Sequence, residues 1–243
     1  MKIKICGLFR EADIDLVNEA GPDYIGFVFA ESRRQVSAGF AARLRARLTG
    51  RITPVGVFAD APPETIRALY QDGVIAMAQL HGGEDEAYIA GLKDLCSVPV
   101  IKAFQLGRGN ERAAFVLAER TAADYVLFDQ GGGTGTAFDW GVLGGGFSRP
   151  WFLAGGIGGH NIDRAVALGP YGVDVSSGAE TNGFKDLDKI MDLIRRMRGA
   201  QAPRTPRMAW SCAYCKLHAR RMGGPGGLKV GRFRGQLQDP GGG

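Results

Sequence analysis

The chain is 243 residues long, with 45% hydrophobic, 23% charged and 9% aromatic positions, a balance that excludes disordered, fibrous and membrane-spanning classes and allows a sizeable core. Its formal charge of +5 is unevenly placed: residues 199–243 hold eight Lys or Arg against the single acid Asp239, leaving residues 1–198 at −2, so the main surface is not built for phosphate backbones and no nucleic-acid partner is expected. No apolar run approaches the roughly 18 residues of a spanning helix, Met1–Arg10 lacks the pattern of a signal peptide, and Cys6, Cys96, Cys212 and Cys215 are spaced too irregularly for a secreted disulfide framework, so a cytoplasmic protein without a membrane partner is expected.

Along the chain, short β-branched or aromatic runs alternate with amphipathic stretches. Strand Ile3–Cys6 leads to helix Glu11–Glu19, Tyr24–Phe29 to Ser37–Leu48, Pro54–Phe58 to Pro63–Gln71, and Ala76–Leu80 to Glu84–Leu95. Strand Pro99–Phe104 then leads to Glu111–Arg120, and Tyr125–Asp129 to a Gly-rich segment after Asp139 where a sixth helix belongs. Trp151–Ala154 precedes His160–Leu168, and Val173–Ser176 precedes Asp186–Arg196. Proline at the entrance of the third helix and Gly21, Gly73 and Gly169 after the first, third and seventh mark helix starts and stops. Eight strand–helix units in one domain, residues 1–198, predict an α/β fold of the (β/α)8 TIM-barrel type. A doubly wound open sheet is the competing topology, but Cys6-Gly7-Leu8-Phe9 after the first strand is not a G-x-G-x-x-G turn.

Residues 199–243 differ in texture, with ten glycines, four prolines and no apolar period, and read as a disordered basic tail. Cys212 and Cys215 with His218 have metal-like spacing but lack the second ligand pair that structural zinc requires, so no metal is expected. Arg-, Gly- and Pro-rich runs are also what a shifted reading frame in GC-rich DNA produces, a second account of this segment.

In such a barrel the active-site residues come from the carboxyl ends of the strands. Here those ends deliver Cys6, Ser32-Arg33-Arg34, Gln79-Leu80-His81, Asp129, Gly155-Gly156-Ile157-Gly158 and Asp174-Val175-Ser176-Ser177-Gly178 to one rim. The last two loops suit a phosphate, because glycine lets backbone N–H groups approach an anion. A tight strand-to-helix turn is the plainer account of the glycines alone. Cys6 and Asp129 form an acid/base pair on different strands, although a small buried hydrophobe and a turn residue are their simpler readings. Arg34 suits a bidentate grip on a carboxylate, His81 reads more readily as a supporting group than as a catalyst, and Cys96 reads as core.

Lys4-Ile5-Cys6-Gly7, Gly26-Phe27-Val28-Phe29 with Ser32-Arg33-Arg34, Val55-Gly56-Val57-Phe58 and Gln79-Leu80-His81-Gly82 continue in order into Phe128-Asp129 with Gly132-Gly133-Thr134-Gly135 and Phe138-Asp139-Trp140. Ala154-Gly155-Gly156-Ile157 and Val173-Asp174-Val175-Ser176-Ser177-Gly178 complete a pattern that resembles the phosphoribosylanthranilate isomerases of tryptophan biosynthesis from residue 2 to about residue 197. The chain departs from that pattern in the thin segment around Gly144-Gly145-Gly146, in Ile157-Gly158-Gly159-His160 where a proline is usual, and in the tail. The resemblance implies an Amadori rearrangement of a small phosphosugar, N-(5-phosphoribosyl)anthranilate, without metal or organic cofactor. Asp129 is then the general acid that opens the furanose ring, and Cys6 the base that takes the C2′ proton. Arg34 holds the anthranilate carboxylate, Asp174 and His81 line the substrate, and Gly155, Gly156, Ser176, Ser177 and Gly178 bind phosphate. The resemblance leaves open an association with other enzymes of tryptophan biosynthesis. The analogous isomerase of histidine biosynthesis resembles this chemistry with two aspartates, and Cys6 argues against it.

Overall fold

A computed structural model describes residues 1–107, 109–130 and 147–200. The Gly-rich stretch from Gly131 to Gly146, with the expected sixth helix and Phe138-Asp139-Trp140, lies outside the described residues, as do Cys212, Cys215 and His218 of the tail. The chain divides between Pro203 and Arg204. The last helix continues through Gly199 to Ala200, past the boundary drawn after Arg198.

Eight parallel strands close into a barrel: β1 (Lys2–Cys6), β2 (Tyr24–Val28), β3 (Thr53–Phe58), β4 (Met77–Leu80), β5 (Val100–Gln105), β6 (Tyr125–Asp129), β7 (Trp151–Ala154) and β8 (Gly172–Val175). Closure is made by β8 pairing with β1, Lys4 opposite Asp174 and Ile5 opposite Val175. The helices are α1 (Glu11–Ala20), α2 (Ala38–Arg47), α3 (Pro63–Gln71), α4 (Glu86–Leu95), α5 (Glu111–Arg120), α6 (Ile162–Ala167) and α7 (Leu187–Ala200). The predicted strands are present with small shifts at their ends.

Side-chain alternation divides the core in two. Ile3, Ile5, Phe27, Phe58, Leu80 and Phe128 face outward against apolar helix residues such as Ile14 and Val17 of α1. Tyr24, Val55, Met77, Ile101, Leu127 and Phe152 fill the interior. At the amino ends of the strands, Tyr24, Tyr125, Phe152 and Tyr171 pack ring to ring, and the Tyr24 and Tyr171 hydroxyls lie 2.9 Å apart. This aromatic plug closes the bottom of the barrel. The polar inward residues therefore collect above it and at the mouth.

Local chemistry sets the helix ends. Gly21, Gly73 and Gly169 take positive φ after their helices, as predicted. α4 starts at Glu86 rather than Glu84, because Asp85 caps it by accepting from the Tyr88 N–H. Glu84 is instead buried, accepting from Lys102 Nζ at 2.9 Å and from the Asp60 and Gly82 N–H groups. α6 starts later than predicted because Asn161 is spent on the preceding loop: its Oδ1 accepts from the Gly158 N–H and its Nδ2 donates to the Gly156 carbonyl. Cys96 caps the end of α4, half-buried against the core.

A hairpin that the sequence reading missed follows β8: β9 (Glu180–Thr181) and β10 (Phe184–Lys185), with Glu180 directly opposite Lys185. Its turn residues Asn182 and Gly183 have φ of 51° and 82°, a two-residue turn for which Asn-Gly is the signal. Phe184 stacks on Phe9 of the β1–α1 loop and lies under the Arg10 guanidinium, 4.1 Å from the ring centre.

Candidate active site

The order β6, β7, β8, β1 around the barrel puts Asp129 and Cys6 on either side of the β7 and β8 loops. Cys6 ends β1 with its side chain inward, and Gly26 of β2 lies beside it; a Cβ at Gly26 would stand 2.6 Å from Cys6 Sγ. Two residues back on the same inward face, Lys4 is fully buried and its Nζ meets Asp174 Oδ2 at 2.8 Å. Burial pushes the Cys6 thiol up from its ordinary pKa and Asp174 adds to the rise, while the Lys4 and Lys185 ammonium groups oppose it. Burial likewise disfavours the charge on Lys4, but Asp174 and Cys6 outweigh it and hold Lys4 protonated. Asp174 keeps one carboxylate oxygen, Oδ1, buried without a protein partner among the described residues.

Asp129 ends β6, with Oδ2 3.1 Å from His81 Nε2. Gln79, inward-facing and two residues before His81, donates from Nε2 to His81 Nδ1 at 2.9 Å. His81 is thus the hydrogen-bond partner of the predicted acid, and Gln79 holds its other ring nitrogen.

The β7 loop carries Gly155 and Gly156 at φ of 89° and 63°, conformations open to glycine. A Cβ on Gly155 would stand 2.8 Å from Asp129 Oδ1, so this glycine brings the loop against Asp129. The β7 and β8 loops touch backbone to backbone: Gly158 bridges to Gly178, where an added Cβ would lie 1.9 Å from the Ile157 carbonyl oxygen. Ser176 donates from Oγ to the Cys6 carbonyl at 3.2 Å, tying this loop to β1. A cavity of about 450 Å³ opens beside Gly158, Ser177 and Gly178, with Asp188, Lys189 and Asp192 on its other wall.

Arg34 crosses from the β2 loop over Gly7, whose φ of 81° and missing Cβ leave room for the arginine stem; an added Cβ would be 2.3 Å from Arg34 Cδ. Its guanidinium forks onto Glu180, Nε to Oε1 and Nη2 to Oε2, both at 2.7 Å. Sequence reasoning brought Arg34 to the rim but missed this partner. Lys185 Nζ reaches Glu180 Oε1 at 2.7 Å and Arg33 reaches Oε2 at 3.3 Å. Burial pushes the Glu180 carboxyl up, but the bonds and charges of Arg34 and Lys185 hold it below the usual carboxylate range. Lys4 and Gln79, named in the sequence motifs, were given no role there, and Glu180 and Lys185 were missed. The signal for Lys4 was a lysine inside a buried strand, and for Glu180 the Asn-Gly turn that folds it back.

The family model for N-(5′-phosphoribosyl)anthranilate (PRA) isomerase matches residues 3–196. The N-(5′-phosphoribosyl)anthranilate isomerase of Endomicrobium trichonymphae is 47% identical over 203 residues, spanning 81% of this chain and 98% of that protein. The crystal structure of phosphoribosyl anthranilate isomerase from Thermotoga maritima is similar at a TM-score of 0.73 and 31% identity, covering 82% of this chain and 99% of that one. A phosphoribosyl anthranilate isomerase in complex with reduced 1-(o-carboxyphenylamino)-1-deoxyribulose 5-phosphate is similar at a TM-score of 0.70 and 30% identity, with the same coverage. With the barrel, the site order and these likenesses in agreement, the chain belongs to the N-(5′-phosphoribosyl)anthranilate isomerase family, aldose–ketose isomerases of tryptophan biosynthesis.

Proposed function

We propose that Cys6 and Asp129 divide the acid–base work of converting N-(5′-phosphoribosyl)anthranilate to 1-(2-carboxyphenylamino)-1-deoxyribulose 5-phosphate. Asp129 gives a proton to the furanose ring oxygen as the C1′–O bond breaks and the anthranilate nitrogen lone pair forms the C1′=N bond. The Cys6 thiolate then removes the C2′ proton, and the electron pair of that C–H bond forms C1′=C2′ while the iminium pair returns to nitrogen. The resulting enolamine passes its O2′ proton to the Asp129 carboxylate and takes at C1′ the proton held by Cys6, leaving the ketose and both residues in their starting forms. Lys4 stabilises the thiolate form of Cys6, and His81 keeps Asp129 aimed into the mouth through the bond at Nε2.

In the same reading Arg34 binds the anthranilate carboxylate, Asp174 Oδ1 accepts from a substrate hydroxyl, and His81 also lines the substrate. Gly155, Gly156, Ser176, Ser177 and Gly178 hold the phosphate. The observation that carries this assignment is the strand order. A phosphate held at the β7 and β8 loops lays the sugar chain between Asp129 on one side and Cys6 on the other, within reach of both. The ligand of the similar complex, a phosphosugar bearing a carboxyphenyl group, has the two anionic ends that this division of the mouth requires. A cytoplasmic location and a catalytic unit confined to the barrel belong to the same proposal.

Complementation of a tryptophan auxotroph lacking this isomerase tests the activity, and single-turnover kinetics of Cys6→Ser and Asp129→Asn test the roles. Both variants should bind the reduced product analogue while losing turnover. Retention of more than half the wild-type kcat by either would remove that residue from the chemistry, and a raised KM with unchanged kcat would make it a binding group.

A further inference from the structure

The Arg34–Glu180 fork leaves a question about how a guanidinium already bound to one carboxylate recognises another. Arginine has five N–H donors, of which Glu180 takes Nε–H and one Nη2–H. The other Nη2–H and both protons of Nη1 remain, and no group among the described residues bonds Nη1. The edge left over is the end-on Nη1–Nη2 pair, which has the same parallel-donor geometry for a carboxylate.

Glu180 is well suited to hold that edge in place. Its side chain is 4% exposed and Lys185 beside it 0%, against 23% for Arg34. Lys185 is fastened in turn to the Ser176 carbonyl at 3.1 Å, so the anchor is tied to the β8 loop next to Cys6. The hairpin that carries Glu180 is seated by the Phe184 ring on Phe9 and Arg10. Charge also favours a second anion here. Glu180 is met by three cationic side chains, Arg33, Arg34 and Lys185, so the cluster keeps a positive surplus after Glu180 is counted.

We infer that Glu180 is a positioning residue for substrate selection: by gripping the Nε–Nη2 edge of Arg34, it aims the Nη1–Nη2 edge at the anthranilate carboxylate. A guanidinium without this grip keeps its charge but swings on a flexible stem, and a bidentate bond requires orientation as well as charge. The inference rests on the assignment of Arg34 to that carboxylate.

The test compares two inhibitors, the reduced carboxyphenylamino-deoxyribulose phosphate and its counterpart without the carboxylate, and takes the ratio of their inhibition constants as the discrimination. Wild type, Arg34→Ala, Glu180→Gln and the double variant are measured, with thermal midpoints recorded alongside. Arg34→Ala should lower discrimination the most. Glu180→Gln should lower it about tenfold, the scale of a charge-assisted hydrogen bond lost through misalignment, and should lower it no further in the Arg34→Ala background. Should Glu180→Gln not fold, Glu180→Asp, which keeps the charge on Lys185 but shortens the reach, enters the same cycle with a smaller expected loss.

Discrimination within twofold of wild type in the Glu180 variant, with Arg34→Ala impaired, overturns the positioning role and leaves the Arg34 assignment standing. An equal loss from Glu180→Gln in both backgrounds overturns it as well, because Glu180 would then act without Arg34. Unchanged discrimination in Arg34→Ala removes the Arg34 assignment and this inference with it.

Discussion

Burial pushes the Cys6 thiol up while the buried Lys4 ammonium pulls it down, so the base proposed at this site depends on a neighbour for its reactive form. The acid limb of kcat/KM is expected to lie above the ordinary thiol range, because activity appears as the thiolate forms. Lys4→Met should move that limb to still higher pH and slow alkylation of Cys6 by iodoacetamide at neutral pH. An unmoved limb would detach Lys4 from the thiol. The same substitution strands Asp174 as an unpaired buried carboxylate and should cost about 3–5 kcal/mol of stability, so the profile is measured at low temperature on protein shown to be folded. Cys6→Ser should reduce kcat on the order of 10²-fold or more with an unchanged thermal midpoint, since a hydroxyl at this position is a far weaker base.

At the scale of elements, the β7 and β8 loops work as one unit because their backbones touch at Gly158 and Gly178. Gly178 does not have a positive φ; its requirement is space, since a methyl group would meet the Ile157 carbonyl oxygen at 1.9 Å. Gly178→Ala must therefore part the two loops. It should weaken competitive inhibition by inorganic phosphate at least about tenfold, the scale of one or two displaced hydrogen bonds to an anion, and lower the thermal midpoint. Unchanged phosphate inhibition would place the phosphate elsewhere. The hairpin β9–β10 acts similarly at its own site, turning the chain back so that Glu180 and Lys185 face each other and the arginine of a distant loop meets them.

For the whole molecule, two buried carboxylates are expected to contribute to acid stability. Burial raises both Glu84 and Glu180, but the bonds of Lys102 and the Asp60 N–H to the first, and of Arg34 and Lys185 to the second, outweigh it and leave both below the ordinary value of 4.5. Each group therefore contributes stability that is fully present above that value and is lost as the pH falls through its lowered folded pKa. Thermal midpoints are expected to hold from neutral pH to about 5 and then fall steeply. In Glu84→Gln the midpoint should be lower at neutral pH and the acid-side fall shallower; an identical slope would mean that Glu84 does not contribute to it. A chain ending at Pro203, past α7, should keep kcat within about twofold, because the expected contribution of a basic, glycine-rich segment to packing is small. A large loss would bring residues 204–243 into the working enzyme.

Much of this molecule was legible along the chain. Strand and helix identity followed from apolar periodicity and from caps such as Gly21 and the proline start of α3, which are local effects within a few residues. The positions of Cys6, Asp129, the glycine loop and Ser176-Ser177 followed once eight strand–helix units implied a barrel, since that fold sends every strand end to one rim. The partners were not legible. Lys4 and Asp174 are 170 residues apart, Arg34 and Glu180 are 146 apart, and His81 and Asp129 are 48 apart. They meet because closure pairs β8 with β1 and because strand register decides which alternate residues turn inward. Periodicity reports that a segment is buried; only the closed sheet decides whether a lysine within it faces a thiol and a carboxylate or an apolar helix.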